Sequence, residues 1–351
     1  MRQGGLRLRT GPVVTTIRSP LPAVRRGIAL HYAQHTVEPD HGFADFHVSV
    51  ERPRTVRRWI KKQVVFRNDG TVPFAPLPGD QGFAMLEWGL NWCVSSHCHQ
   101  YLILHAAVLE RGGRALILPA PSGSGKSTLC AGLVFGGGWR LLSDEMALID
   151  PASCHVVPLP RPVSLKNESI DVMREFAPAA LFGEVVRETI KGRVAHVRPP
   201  ADGVLRADQS ALPAWVVIPR YVAGAAAQLQ PLSRAHAFMS LVDNAFNYNV
   251  HGRRGFTAFA DVIDRSDCHW FSYSSLPEAV AVFDQLATPN DGCLDKSDRH
   301  RSGLRGAAPA AAFGGANACG LGCSGAPGAA RRAAGPYWLH AGGTGLDRYG
   351  A

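Results

Sequence analysis

No stretch of the 351-residue chain approaches the roughly 18–20 continuous apolar residues of a membrane-spanning helix. Met1 to Ile17 has a basic start but no apolar run of about 7–15 residues, so it does not read as a secretory signal. The expectation is a cytoplasmic protein with no membrane partner. Cysteine is sparse: Cys93, Cys98, Cys130, Cys154, Cys268, Cys293, Cys319 and Cys323 are irregularly spaced, which argues against a disulfide framework and for reduced thiols. No repeat recurs at a fixed period. An Asn-Lys-x-Asp guanine-recognition sequence is missing, and so are zinc-finger, helix-turn-helix and aromatic RNA signatures.

The net charge of +9 would suit a nucleic-acid partner if it were spread over the body of the chain, but it is not. Residues 1–68 carry 13 basic and 4 acidic side chains, residues 69–287 carry 17 and 20, and residues 288–351 carry 7 and 4. The middle is slightly acidic. The densest basic run, Arg52 to Arg67 with Trp59 and Ile60 among seven basic residues, reads as a solvated face or as a surface for an acidic partner. No nucleic-acid partner is expected.

Between Arg9 and Phe74, short apolar runs broken by Pro and Gly, including Val13 to Ile17, Phe46 to Val50 and Gln63 to Phe66, predict a strand-rich region. Phe83 to Cys93 has apolar residues at helical spacing and predicts a packed helix. At the end of that helix, Cys93, His97, Cys98 and His99 read either as metal ligands or as ordinary helix-end residues. Adjacent His-Cys-His side chains do not readily converge on one tetrahedral ion, and no second ligand pair accompanies them.

Residues 102–109 and 114–118 are apolar runs split by Glu-Arg-Gly-Gly, a hairpin signal. A glycine-rich turn follows, then a helix from Ser127 to Phe135 stopped by Gly136-Gly137-Gly138. Trp139 to Leu142 and Met146 to Ile149 read as strands, 158–168 as a loop, Trp215 to Ile218 as a strand, and Ser233 to Phe246 and Pro277 to Leu286 as helices. The chain divides into a strand-rich basic region at 1–82, a nucleotide-binding domain at 83–287 and a Gly/Ala-rich tail at 288–351. Residues 301–351 contain 13 Gly and 14 Ala without apolar periodicity and are expected to be disordered.

The chemistry concentrates in Ala120-Pro121-Ser122-Gly123-Ser124-Gly125-Lys126-Ser127-Thr128. Ala120 stands where the G-x-x-x-x-G-K-[ST] pattern has its first glycine. The remaining requirements are met. Gly123 and Gly125 let the backbone curl so that N–H groups of Ser122 to Thr128 face a phosphate, and the helix adds its positive end. Lys126 reaches the β- and γ-phosphates of ATP, and Ser127 ligates Mg. Leu141 to Glu145 has the form of the second acidic motif of such sites, an apolar strand ending in Asp144. Only 18 positions separate Lys126 from Asp144, room for one helix and one turn, which points to a compact kinase-like core.

His105, the run Pro121 to Ser127, and Arg140 to Glu145 together resemble the catalytic domain of bacterial HPr kinase/phosphorylase. Leu86-Glu87-Trp88-Gly89-Leu90-Asn91-Trp92, Leu104 to Ala107, Arg161 to Asn167, Lys191-Gly192 and Phe246-Asn247-Tyr248 bring the chain closer to the HPr-kinase-related kinase A branch over residues 10–287. The resemblance implies an α/β fold with a PEP-carboxykinase-like P-loop core, and an ATP- and Mg-dependent phosphotransferase acting on a hydroxyl of a protein, peptide or small molecule. It implies Asp144 as general base, His105 beside it, Lys126 on the phosphates, and Ser127, Glu145 and Glu168 as magnesium ligands. Glu145 stands where the family has a second Asp. Arg161, Lys166 and Lys191 are candidates for an electropositive rim or for a solvated surface. The implied partners are a small PqqD-like peptide-binding protein or an HPr-like acceptor, with self-association. A nucleotide-binding switch or accessory module of a peptide-modification system, with little transferase activity, is the competing reading.

Overall fold

A computed structural model describes residues 4–56 and 59–288. The tail expected to be disordered lies, from residue 289 onward, outside the described residues. Strands β1 (Leu6–Thr10) and β2 (Val13–Arg18) form a hairpin, and helix α1 (Pro22–His31) carries the chain across to β3 (Phe46–Glu51), which pairs parallel with β2. Strands β4 (Gln63–Asn68) and β5 (Leu77–Pro78) complete a five-stranded sheet in simple sequence order. Pro22 opens α1 at a position where a missing N–H costs nothing, and Val24, Ile28 and His31 share its buried face.

Helix α2 (Gly82–His97) packs on this sheet. Its faces are apolar almost all round, and it buries Met85, Leu86, Leu90 and Val94 together with two polar residues one turn apart, Glu87 and Asn91. Gly89 lets it approach β4: a Cβ there would lie 2.2 Å from the Phe66 ring. The expected helix over Phe83 to Cys93 is therefore present and longer.

Strands β6 (Leu102–Leu104), β7 (Ala106–Arg111) and β8 (Arg114–Pro119) follow, then helix α3 (Lys126–Phe135), β9 (Arg140–Ser143), β10 (Ala147–Ile149), β11 (Val156–Val157) and β12 (Val163–Lys166). Next come α4 (Glu168–Phe176), β13 (Val186–Thr189), β14 (Gly192–Val197), α5 (Ala201–Leu205), β15 (Leu212–Tyr221) and β16 (Gln228–Pro231). Helices α6 (Arg234–Asp243), α7 (Tyr248–His251) and α8 (Arg253–Arg265), strand β17 (Asp267–Tyr273) and helix α9 (Leu276–Ala287) complete the described chain.

A six-stranded sheet in the order β16-β17-β15-β8-β7-β9 lies at the centre, with β17, β15 and β8 mutually parallel and the outer pairs antiparallel. Strand alternation divides its side chains between two cores. Leu116, Leu118 and Val217 join Leu129, Leu133, Trp139 and Phe283 under α3 and α9, whereas Ala115, Ile117, Val216 and Ile218 join Leu241, Phe259 and Val262 under α6 and α8. Two three-stranded antiparallel sheets, β11-β10-β6 and β12-β14-β13, flank it. The fold is mixed α/β with several sheets and helices, and its described residues belong to one compact unit, Met1–Thr288.

Two local expectations need correction. The run 102–109 is not one strand: it breaks at His105, leaving β6 in one sheet and β7 in another. The expected loop at 158–168 contains β12, which pairs with β14 through Val163↔Val197 to Lys166↔Val194.

Candidate functional site

The site forms where three parallel strands end. Strand β8 runs into the glycine-rich turn, and its partners hold that turn in place: the Tyr221 N–H at the end of β15 donates to Ser124 O at 2.9 Å, and the Tyr273 hydroxyl at the end of β17 donates to Gly125 O at 2.8 Å. Gly123 and Gly125 have φ of +92° and +89°, left-handed values that glycine adopts without steric cost. Ser122 and Gly123 are exposed, and Ser124, Gly125, Ser127 and Thr128 are half-buried. Ala120 is fully buried at the foot of the turn, so its methyl group joins the core.

Beneath the turn lies Lys126, with its ammonium nitrogen buried and without a hydrogen-bond partner. Burial pulls its pKa down, while Asp144 and Glu145 pull it back up. The two carboxylates favour the charged form of this buried ammonium, and a further anion would do the same.

Asp144 follows β9 and is also buried. One of its oxygens accepts from the Ser164 N–H of β12 at 3.0 Å, whereas Oδ1 is buried without a partner. Burial and the neighbouring Glu145 raise its pKa, against the pull of Lys126, the Ser164 N–H and the Ser127 side chain. Glu145 differs: burial would raise it, but Lys166, Lys191 and Lys126 outweigh that and bring it below the ordinary range. Its Oε1 lies 3.8 Å from Lys166 Nζ, and its Oε2 accepts from Asn91 Nδ2 at 3.2 Å.

The break between β6 and β7 puts His105 against this cluster. Burial first, then Lys126, depresses its pKa to about 3, so the imidazole is neutral at physiological pH. Its main-chain N–H donates to Asn244 O at 2.7 Å, and its ring lies 6.3 Å from that of Phe246. Lys191, in the turn between β13 and β14, sits with its ammonium 5.6 Å from the centre of the Trp88 ring, and burial lowers its pKa to about 8.

Lys126, Asp144, Glu145 and His105 thus come together below the turn, with Lys166 and Lys191 facing Glu145. Glu168 is exposed in the first turn of α4 and joins none of these contacts. Arg161 is no part of an open rim: it is buried and donates to Glu87 Oε2 at 2.7 Å, to Glu87 O at 2.9 Å and to Asn91 Oδ1. Asn247 serves the backbone, accepting from Ile103 N–H at 2.9 Å and donating to Tyr101 O at 2.8 Å. Among the described residues no group of three or more His, Cys, Asp or Glu side chains could hold a metal ion. Cys93 and Cys98 are buried thiols whose pKa values burial raises, that of Cys98 to about 12. No described helix is long and apolar enough to cross a membrane.

Sequence reasoning assigned no role to Asn91, Ser164, Tyr221 or Tyr273. Asn91 and Ser164 lie in segments quoted for the family resemblance, so a signal was present for these two; Tyr273 sits on a strand that was not anticipated. No family model matches the chain, and no curated protein matches it.

Proposed function

We propose that the chain is an ATP- and magnesium-dependent phosphotransferase of the HPr-serine-kinase type, nearest the HPr-kinase-related kinase A branch, with a P-loop core built on β8, the glycine-rich turn and α3. The observation that carries this reading is the buried, unpartnered Lys126 ammonium under a turn with two left-handed glycines, facing the Asp144–Glu145 pair. A cation buried without a partner is expensive in a purely structural role, and the phosphates of ATP would supply the missing partner.

In this reading the main-chain N–H groups of the turn and the first turn of α3 cradle the phosphates, and Lys126 binds the β- and γ-oxygens. Magnesium fits beside Ser127 and the carboxylate pair, where an Asp144 oxygen is buried without a partner; bound there, it would neutralise phosphate charge. Asp144, whose basicity burial raises, accepts the proton of the acceptor hydroxyl as the new O–P bond forms and the bond to ADP breaks. Neutral His105 offers a hydrogen bond without adding charge. Lys166 and Lys191 offset the charge of Glu145 and of the transferred group.

Calorimetric titration with Mg-ATP tests the binding half of this proposal. Wild type should bind and Lys126→Ala should not. Equal affinity in the two proteins would sink the assignment of Lys126.

A further inference from the structure

The Glu145 carboxylate, whose Oε1 lies near Lys166, is held at Oε2 by a chain of buried polar groups that begins far away in sequence. Asn91 on α2 donates through Nδ2 to Glu145 Oε2 at 3.2 Å, and its Oδ1 accepts from Arg161 Nη1. A guanidinium nitrogen can only donate, so Arg161 fixes which way the Asn91 amide points. The flipped amide would set two donors face to face at Arg161 and an acceptor against the Glu145 carboxylate. Arg161 is itself clamped by Glu87, one helical turn before Asn91, and its Nε lies 3.4 Å from the Tyr32 hydroxyl, which donates to Glu87 Oε1 at 2.7 Å. Tyr32, Glu87, Asn91 and Arg161 are each at most 7% exposed.

A satisfied buried network of this kind resists displacement, since moving one member leaves the next, a buried charge included, without its partner. A cavity of about 20 Å³, room for one water, separates it from Asp144 and Ser164. The groups facing Glu145 are Asp144 beside it, Asn91 from α2, Lys126 from α3, Lys166 from β12, Lys191 from the turn before β14, His196 from β14 and His105 from the β6–β7 break. Of these, Asn91 makes a directional hydrogen bond fixed in turn by a second buried residue.

We infer that Asn91 is a positioning residue of the site: its amide, oriented by Arg161, holds the Glu145 carboxylate beside Asp144 and ties it through Glu87 to Tyr32 at the end of α1. The catalytic consequence rests on the phosphotransferase reading; the structural coupling does not. Asn91→Asp is the decisive variant. It is isosteric and keeps the Arg161 contact, but it sets a second carboxylate against Glu145.

In the full chain, Asn91→Asp should lower kcat for phosphate transfer by roughly tenfold to a hundredfold, the scale of an ångström-sized misplacement, while KM for ATP stays within about threefold. It should also lower Tm, and adding Glu145→Gln should restore Tm, because the Gln amide can donate to the new carboxylate with the polarity of the bond reversed. If wild type transfers phosphate and Asn91→Asp does so with unchanged kcat, the inference is overturned. Additive Tm losses in the double variant would overturn it too, whatever the activity. A wild-type protein that transfers no phosphate would overturn the functional reading instead, and the Tm cycle would then decide the coupling alone.

Discussion

Gly123 and Gly125 both occupy left-handed backbone, yet the structure predicts different costs for placing alanine at each. At Gly123 an added Cβ meets nothing within 4 Å, so Gly123→Ala pays only the dihedral cost, about 1–2 kcal/mol. At Gly125 the same atom would lie 2.6 Å from the Tyr273 hydroxyl and 2.9 Å from Tyr221 Cβ. The hydroxyl cannot retreat without weakening its 2.8 Å bond to Gly125 O, worth about 1 kcal/mol. Gly125→Ala should therefore cost about 2–4 kcal/mol, the dihedral cost plus the lost bond and the residual overlap. At about 2–4 °C per kcal/mol for a unit of this size, the two variants should separate clearly in thermal unfolding. Since the closest overlap is with the Tyr273 oxygen, Tyr273→Phe should cost less in the Gly125→Ala background than in wild type, a coupling of at least about 0.5 kcal/mol. Equal losses at the two glycines, or strict additivity with Tyr273→Phe, would refute the claim that the ends of β15 and β17 hold the turn.

Further predictions follow from the buried charges and imidazoles. Lys126→Met should leave Tm unchanged or raise it, because it removes a desolvated ammonium that has no hydrogen-bond partner, while ATP no longer raises Tm; thermal scans with and without Mg-ATP read both effects. Burial holds His31 and His196 near pKa 4, below their ordinary 6.5, so both are neutral when folded and gain protons on unfolding. Their contribution to stability is complete above about pH 6.5 and is lost as pH falls toward 4, at about 1.4 kcal/mol per pH unit for each. The urea midpoint should fall accordingly over that window, and His196→Gln should flatten the decline.

The legible parts of this chain were those whose signals are local. The turn between β7 and β8 needs left-handed residues, and Gly112 and Gly113 supply them at φ of +61° and +78°. The glycine-rich turn at 120–125 likewise separates a strand from a helix by local signals, and α3 begins one residue before its expected start. The break at His105 was hidden because both halves of Leu102 to Leu109 are buried on either side, so the run shows no alternation. Strand β12 was masked by Pro158, Pro160 and Pro162, which read as loop punctuation although the strand starts just after them. Strand β13 is mostly exposed and polar and offers no apolar period. Helix α8 is a different case, since Ala258, Phe259, Val262 and Ile263 carry a helical period that the sequence does show. At the site, the loop pattern points to Lys126 and the acidic strand end to Asp144, whereas His105 is singled out by the family resemblance alone. The Asn91–Arg161 contact was not legible, because it joins residues 70 positions apart with no local pattern to announce it.

The claim that this site moves a phosphoryl group is tested most directly by incubating the protein with γ-labelled ATP, magnesium and the protein products of its neighbouring genes, comparing wild type with Asp144→Asn. Wild type should yield labelled acceptor, and Asp144→Asn should bind ATP without labelling the acceptor. Equal labelling by the two proteins would contradict the role of Asp144 as base, and tight ATP binding by wild type with no labelled acceptor would favour the nucleotide-binding switch instead.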